Sequence, residues 1–119
     1  MKLNHDLVRD LMLCIEENTN STIRFLFIEE LTKKLPTYTE DELKYHYFQL
    51  FDAGYISSAN NFQCGKLTYE GHKYLDNIRD KSAWDKLKDS GLSSMSLDVA
   101  KDLAKEVITS LAKKKLGLD

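Results

Sequence analysis

Apolar residues near the start of the chain recur at intervals of three and four, the spacing of one helix face. They fall within residues 6–18 and comprise Leu7, Val8, Leu11, Met12 and Ile15. Apolar side chains at positions 13 and 14 widen this face beyond half of the circumference. We therefore predict a first helix that starts near Asn4 or His5 and lies at the centre of the core.

A short strand and two more helices are predicted next. Residues 22–27 are β-branched and aromatic, which favours a strand. Residues 28–35 have a helical pattern that ends before Pro36, because the residue before a proline is disfavoured in the helical conformation. Thr39 is a good N-cap for a third helix, because the acidic residues that follow it suit the positive end of the helix dipole. That helix ends at Gly54, and its expected buried residues are Leu43, Tyr47, Leu50 and Phe51.

A two-stranded hairpin is predicted after the third helix. Residues 55–57 and 65–68 have strand-like patterns, and the polar, asparagine-containing segment 58–64 separates them. Three helices followed by a hairpin is the order of a winged helix. We therefore predict an α+β, mainly α, fold. Residues 1–80 form a winged helix-turn-helix core with a two-stranded wing, and extra C-terminal helices follow.

The C-terminal part, residues 81–119, is predicted to be a helical extension of this core. Thr68 is a good N-cap for a fourth helix, and the Gly- and Ser-rich residues 90–94 are a candidate hinge. A last helix from Ser96 to Lys115 has an apolar stripe that would pack on the core, fold over the first helix, or mediate dimerisation. We assign the stripe as a candidate interface: Leu97, Ala100, Leu103, Ala104, Val107, Ile108 and Leu111.

Composition limits the possible functions. The 119 residues include 17 Lys and Arg against 19 Asp and Glu, so the formal net charge is −2. A nucleic-acid-binding protein usually has a basic excess, so any DNA-binding surface must come from local charge. The two cysteines form neither a disulfide framework nor a paired-cysteine zinc motif. Without a leader-like or membrane-spanning run, a cytoplasmic protein is expected.

One stretch of the sequence resembles a known family. Residues 67–80, followed by Trp84 and Lys86, are similar to the signature of a bacterial and phage family called domain of unknown function 2513. The start of the chain and its middle also resemble this family, at residues 1–10, 45–46 and 53–56. The resemblance implies a winged-helix-like layout and a prophage or phage-related setting. It implies no activity and no catalytic residues.

The first functional hypothesis is a DNA-binding regulatory protein. The third helix would enter the major groove of double-stranded DNA while the wing follows the backbone. Three acidic residues at positions 40–42 oppose this, since carboxylates repel phosphates. The candidate contacts are Lys33, Lys34, Lys44, Tyr45, Gln49, Asn60, Asn61, Gln63 and Lys66.

The alternative is a protein-interaction or dimerisation module without DNA binding, with the last helix as the interface. Catalysis is not expected, because His5, His46 and His72 lie in separate segments without a nucleophile pattern. We therefore expect no cofactor, metal, small-molecule substrate or membrane partner. His46 is interpreted as a helix-surface or boundary residue rather than a ligand, and Trp84 as an anchor for the C-terminal part.

Overall fold

The computed structural model describes residues 1–117 as a mainly helical protein with a small two-stranded antiparallel sheet. This confirms the α+β, mainly α, class. A single turn of 3₁₀ helix, Leu92–Ser94, precedes the last helix. The helices and strands are α1 His5–Asn18, β1 Phe25–Phe27, α2 Ile28–Lys34, α3 Glu40–Asp52, β2 Gln63–Gly65, α4 Tyr69–Ile78, α5 Lys81–Asp89 and α6 Leu97–Lys115.

Local capping explains where most helices begin. In five of them the side chain before the helix accepts a hydrogen bond from the backbone N–H three residues later, which satisfies a donor that the helix itself cannot pair. At α3 the cap is reciprocal, since the Glu42 carboxylate also accepts from the Thr39 N–H at 2.9 Å. The five capping residues are Asn4, Thr39, Thr68, Asp80 and Ser96.

The core forms around α1, as predicted. All five residues of its repeating apolar set are fully buried, and α1 packs against α3 and α4. From α3 the buried apolar residues are Leu43, Tyr47 and Leu50. Phe51 was expected among them but is 43% exposed. It lies beside the buried Leu50, at the border between the buried and the outward face of α3.

The sheet differs from the predicted hairpin. β1 pairs with β2, with Leu26 opposite Cys64, whereas residues 55–57 contribute only an isolated bridge between Ile56 and Leu67. β2 thus lies between β1 on one side and residues 56–59 on the other. The predicted hairpin is nevertheless present in irregular form, since the Ser57 N–H donates to the Lys66 carbonyl and the Thr68 N–H donates to the Tyr55 carbonyl. The pairing of β1 with β2 was not predicted, because α2 and α3 separate these strands in sequence and only packing brings them together.

The C-terminal helices pack on the core. The indole of Trp84 is 4% exposed, and its Nε1–H donates to Asp6 Oδ1 at 3.0 Å, which confirms the predicted anchor. α6 packs mainly on α4 and α5 rather than over α1. In the joint before α6, Gly91 adopts a φ of 88° and Leu92 is buried. Among residues 1–117, no helix is both long and apolar enough to cross a membrane.

Candidate interaction surface

The outward face of α3 carries more negative than positive charge. Lys44 is the basic residue of this helix, and its Nζ lies 3.2 Å from Glu40 Oε2, one turn earlier. Glu40, Asp41 and Asp52 are all exposed. A phosphate backbone laid along this face would meet these carboxylates while Lys44 is already paired.

Tyr45 and Gln49 are only partly available on the same helix. Both are half-buried, and the Tyr45 ring makes an edge contact with the His46 ring at 5.1 Å between centroids. Gln49 lines a shallow depression together with Asp52 and Asp98. A ligand that reached Gln49 would therefore approach two carboxylates.

Asn60 holds the turn of residues 60–63 together. Its Oδ1 accepts from the N–H groups of Phe62 and Gln63, at 2.9 and 3.1 Å. Its backbone carbonyl accepts from the Tyr47 hydroxyl, which ties the turn to α3. The Asn60 side chain is thus committed to the local fold. Gln63 is half-buried within β2, whereas Asn61 and Lys66 are exposed.

The two lysines of α2 do not extend the α3 face. Lys33 and Lys34 are both exposed at the end of α2. Lys34 lines a depression with Cys14 and Asn18 of α1, so it lies beside α1 rather than beside the outward side of α3. The candidate DNA contacts are therefore spread over separate surfaces.

The stripe of α6 is mostly used inside the chain. Leu97, Ala100, Ala104 and Val107 are buried. Leu103, Ile108 and Leu111 are half-buried and pack against the core, and the last two line a groove with Ser82 of α5. The apolar spacing that predicted an interface is explained in large part by the packing of α6 on α4 and α5.

His46 lies in the interior, which corrects the interpretation of this residue as a surface or boundary side chain. It is 1% exposed, and its Nδ1–H donates to the Glu42 carbonyl at 2.7 Å. Its Nε2 accepts from the Asn4 N–H at 2.8 Å. Burial lowers the pKa of His46, while the contact with Glu42 acts in the opposite direction. The neutral imidazole therefore joins the start of α1 to α3.

His5 is also buried, at 5% exposure. Its Nε2 lies 2.8 Å from the Met95 carbonyl, so that nitrogen carries the proton and donates it. The His5 hydrogen bond thereby links the start of α1 to the joint before α6.

A sequence signal for the burial of His46 existed, since it lies three residues after Leu43 and four before Leu50, on the buried side of α3.

The phenylalanines show the least expected distribution. Phenylalanine is usually among the most buried residue types, yet none of the five in this chain is buried. Phe48 is half-buried, and the exposed fractions of Phe25, Phe27, Phe51 and Phe62 are 47, 51, 43 and 72%. Aromatic side chains that the core leaves uncovered are therefore a main feature of this surface.

Three of these phenylalanines lie on or beside the sheet. Phe25 and Phe27 point outward from β1 while Leu26 between them points into the core. Phe62 immediately precedes Gln63, the residue opposite Phe27, and Ile23 before the strand is 51% exposed. We call Ile23, Phe25, Phe27 and Phe62 the sheet patch.

The sheet patch is large for so small a protein. The four side chains are 47 to 72% exposed, so with surfaces of about 200 Å² each they expose roughly 400 Å² of apolar area in total. Patches of several hundred Å² on a monomer are often functional. The sequence analysis missed this surface, although the alternating order Phe-Leu-Phe is a signal for one buried and two outward positions.

Comparisons with known proteins identify relatives but no activity. The profile of a family described as "Hypothetical protein (DUF2513)" matches residues 2–95. A protein of Haemophilus influenzae strain Rd, described as an uncharacterized protein, is 30% identical over 124 residues, which cover 98% of this chain and 100% of the relative. No solved structure matches the chain significantly.

Proposed function

The chain belongs to the domain of unknown function 2513 family, and from that premise we propose that it is a protein-interaction module that acts by binding rather than by catalysis. The observation that carries this proposal is the sheet patch, four exposed apolar side chains on and beside a strand that has one partner strand within residues 1–117. We therefore assign the interaction surface to the sheet rather than to α6.

The scaffold that we propose is a winged helix. The order α1, β1, α2, α3 and then an irregular hairpin supports it, as do the bridges that join Ile56 to Leu67 and Ala59 to Cys64. In this layout the sheet closes one edge of the three-helix core. A cytoplasmic protein of prophage or phage-related bacteria is the setting that we propose for it.

Exposed aromatic side chains favour a protein partner over a nucleic acid. Phenylalanine is enriched at the centres of protein interfaces, and charged residues are depleted there. The sheet patch fits this description, since its four members are uncharged and it contains three phenylalanines. The face of α3, with its exposed carboxylates, does not resemble a phosphate-binding surface.

A selection of short random peptides displayed on phage tests the proposal. We expect the purified protein to enrich apolar peptides, and the double variant Phe27→Ser, Phe62→Ser to bind them at least about tenfold more weakly, since aromatic anchors dominate interface energies. The matched control is Phe51→Ser, which removes an exposed phenylalanine outside the patch and should leave binding unchanged. Absence of enrichment, or equal losses in all variants, would refute the proposal.

DNA binding is the second candidate, and one observation favours it. Asn61 and Lys66 are exposed on the proposed wing, and within the described residues Lys66 forms no ion pair. Fluorescence anisotropy with a mixed-sequence duplex across a salt series separates the two functions. DNA binding that weakens steeply with salt and on Lys66→Ala would favour this candidate; we expect neither effect.

A further inference from the structure

We propose that β1 pairs, antiparallel and about a two-fold axis, with β1 of a second copy of this chain. This inference rests on the proposed function, because it names the partner of the sheet patch. The described part of the chain places no strand beside the outer edge of β1, since the sheet consists of β1 and β2 alone. An uncovered strand edge offers unpaired backbone groups to another strand.

The hydrogen bonds show which residues face the open edge. The Ile28 N–H donates to the Phe62 carbonyl at 2.8 Å, on the β2 side. Alternate residues of a strand direct their backbone groups to the same edge, so Leu26 shares the β2 side. Phe25 and Phe27 therefore direct their N–H and C=O groups to the open edge. The Glu30 carboxylate, which accepts from the Phe27 N–H at 3.3 Å, lies at this edge as well.

A two-fold axis at Phe25 makes the strand complementary to itself. Phe25 would exchange both backbone hydrogen bonds with Phe25 of the second copy. Phe27 would then lie opposite Ile23 of that copy, and the reverse pair would form by symmetry. These two pairs add side-chain contacts only, because the Ile23 N–H and C=O are bonded to Asn20 and the Phe27 N–H is bonded to Glu30. All three cross-strand pairs on the outward face are apolar, and aromatic and β-branched pairs stabilise antiparallel strands. A closed two-fold contact of this kind is the commonest symmetry of protein dimers.

Charge supports the same arrangement. Arg24 is exposed immediately after Ile23, and the Glu30 carboxylate lies beside the Phe27 N–H. Because Phe27 would face Ile23 of the second copy, the pairing brings Arg24 of each copy toward Glu30 of the other. Opposite charges at the two ends of the strand thus favour the antiparallel arrangement of identical copies.

Light scattering over a hundredfold range of protein concentration tests the pairing. We expect the mass to approach that of a dimer at high concentration, and Phe25→Glu to weaken the dimer at least about tenfold, because it places two carboxylates at the axis. Phe51→Glu is the matched control, and its dimer should be as stable as that of the wild type. A wild-type protein that stays monomeric throughout would overturn the proposal.

Cysteine cross-linking tests the axis itself. A hydrogen-bonded antiparallel pair has its Cα atoms about 5.5 Å apart, a distance that a disulfide spans. We therefore expect Phe25→Cys to form a covalent dimer under mild oxidation and Phe51→Cys to remain monomeric. The native Cys14 and Cys64 are buried and should not interfere. A dimer that Phe25→Cys does not trap would place the axis elsewhere and reject this pairing.

The two proposals fail in different ways. Phe62 lies on the β2 side of the sheet, away from the open edge, so Phe62→Ser should weaken peptide binding and leave the dimer intact. Peptide binding by a strictly monomeric protein would reject the second copy as partner while the interaction function stands. A wild-type protein that neither binds peptides nor dimerises would reject both proposals.

Discussion

The α1–α5 junction and the sheet treat their aromatic side chains in opposite ways. In the junction, Trp84 is buried and hydrogen-bonded to Asp6, and the guanidinium of Arg9 lies 5.5 Å from the centre of its ring. On the sheet, Phe25 and Phe27 contact solvent. The comparison separates aromatic residues that hold the fold together from aromatic residues left available for binding.

The charged groups of the junction are also paired within the chain. Arg9 donates to the carbonyls of Ile78 and Arg79, at 2.8 and 2.7 Å. It therefore caps the end of α4, where the last carbonyls lack helical partners. Arg79 in turn makes a two-pronged contact with Glu16 of α1. The junction satisfies its polar groups from within the chain.

Trp84→Ala should have the largest effect on stability. Removal of a buried tryptophan costs about 3–5 kcal/mol, and here it also removes the hydrogen bond to Asp6 and the ring over which the guanidinium of Arg9 lies. Urea denaturation at neutral pH measures the loss. A loss below about 1 kcal/mol would show that α5 and α6 contribute little to the stability of the core.

The buried His46 should make stability depend on pH. Its pKa is lowered in the folded protein, so the unfolded chain takes up its proton more readily. The contribution of the neutral imidazole to the free energy of unfolding is therefore fully present above the unfolded pKa of about 6.5, and it is lost as the pH falls. One proton sets a limit of about 1.4 kcal/mol per pH unit.

A histidine variant isolates this effect from the other titrating groups. We expect His46→Gln to reduce the slope of unfolding free energy against pH between about 5 and 7, compared with the exposed control His72→Gln. An NMR titration of wild-type protein provides a second readout, in which the His46 ring should protonate below its usual range. A normal or raised pKa in that titration contradicts the buried neutral state.

Arg79→Ala should destabilise the protein by roughly 1 kcal/mol. The guanidinium makes charge-assisted bonds to Glu16 and Asp76, but its side chain is 40% exposed, so solvent screens the pairs. Arg79 also lowers the pKa of Glu16, so this contribution should disappear as the pH falls below about 4.5. Thermal unfolding at neutral and at acidic pH checks both points, and an unchanged melting temperature at neutral pH would exclude the structural role.

Phe27→Ser should change the stability of the monomer least. The side chain is half exposed, and surface substitutions usually alter stability by less than about 0.5 kcal/mol. Denaturation at low protein concentration, where dimers contribute little, provides the measurement. A loss as large as that of Trp84→Ala would mean that the sheet patch serves folding, and the contrast between the two regions would no longer hold.

The helices could be predicted in detail because their signals are local. The span of α1 follows from apolar spacing, and Thr39 and Ser96 mark the starts of α3 and α6 through their own backbone contacts. A glycine at position 71 also permits a close approach, since a Cβ at this position would overlap the Tyr55 carbonyl. Each of these features depends on residues within one turn or on the size of one side chain.

The candidate site was predicted less well, because its members depend on distant neighbours. Lys44, Tyr45 and Gln49 lie on the expected face of α3, but their burial and charge environment come from Glu40, the N-terminal segment and α6. Periodicity alone predicts an apolar stripe on α6 and does not distinguish a partner chain from α4 and α5. Exposure of the phenylalanines could not be inferred from their type, which predicts burial.

The sequence by itself determined the helical class, the capped starts of four helices and the buried face of α1, because hydrogen bonding and periodicity act over a few residues. Only the tertiary structure decided that β1 pairs with β2, that His46 is enclosed, and that the sheet patch stays uncovered. These outcomes require segments tens of residues apart to meet, and their packing determines which apolar side chains enter the core and which remain at the surface.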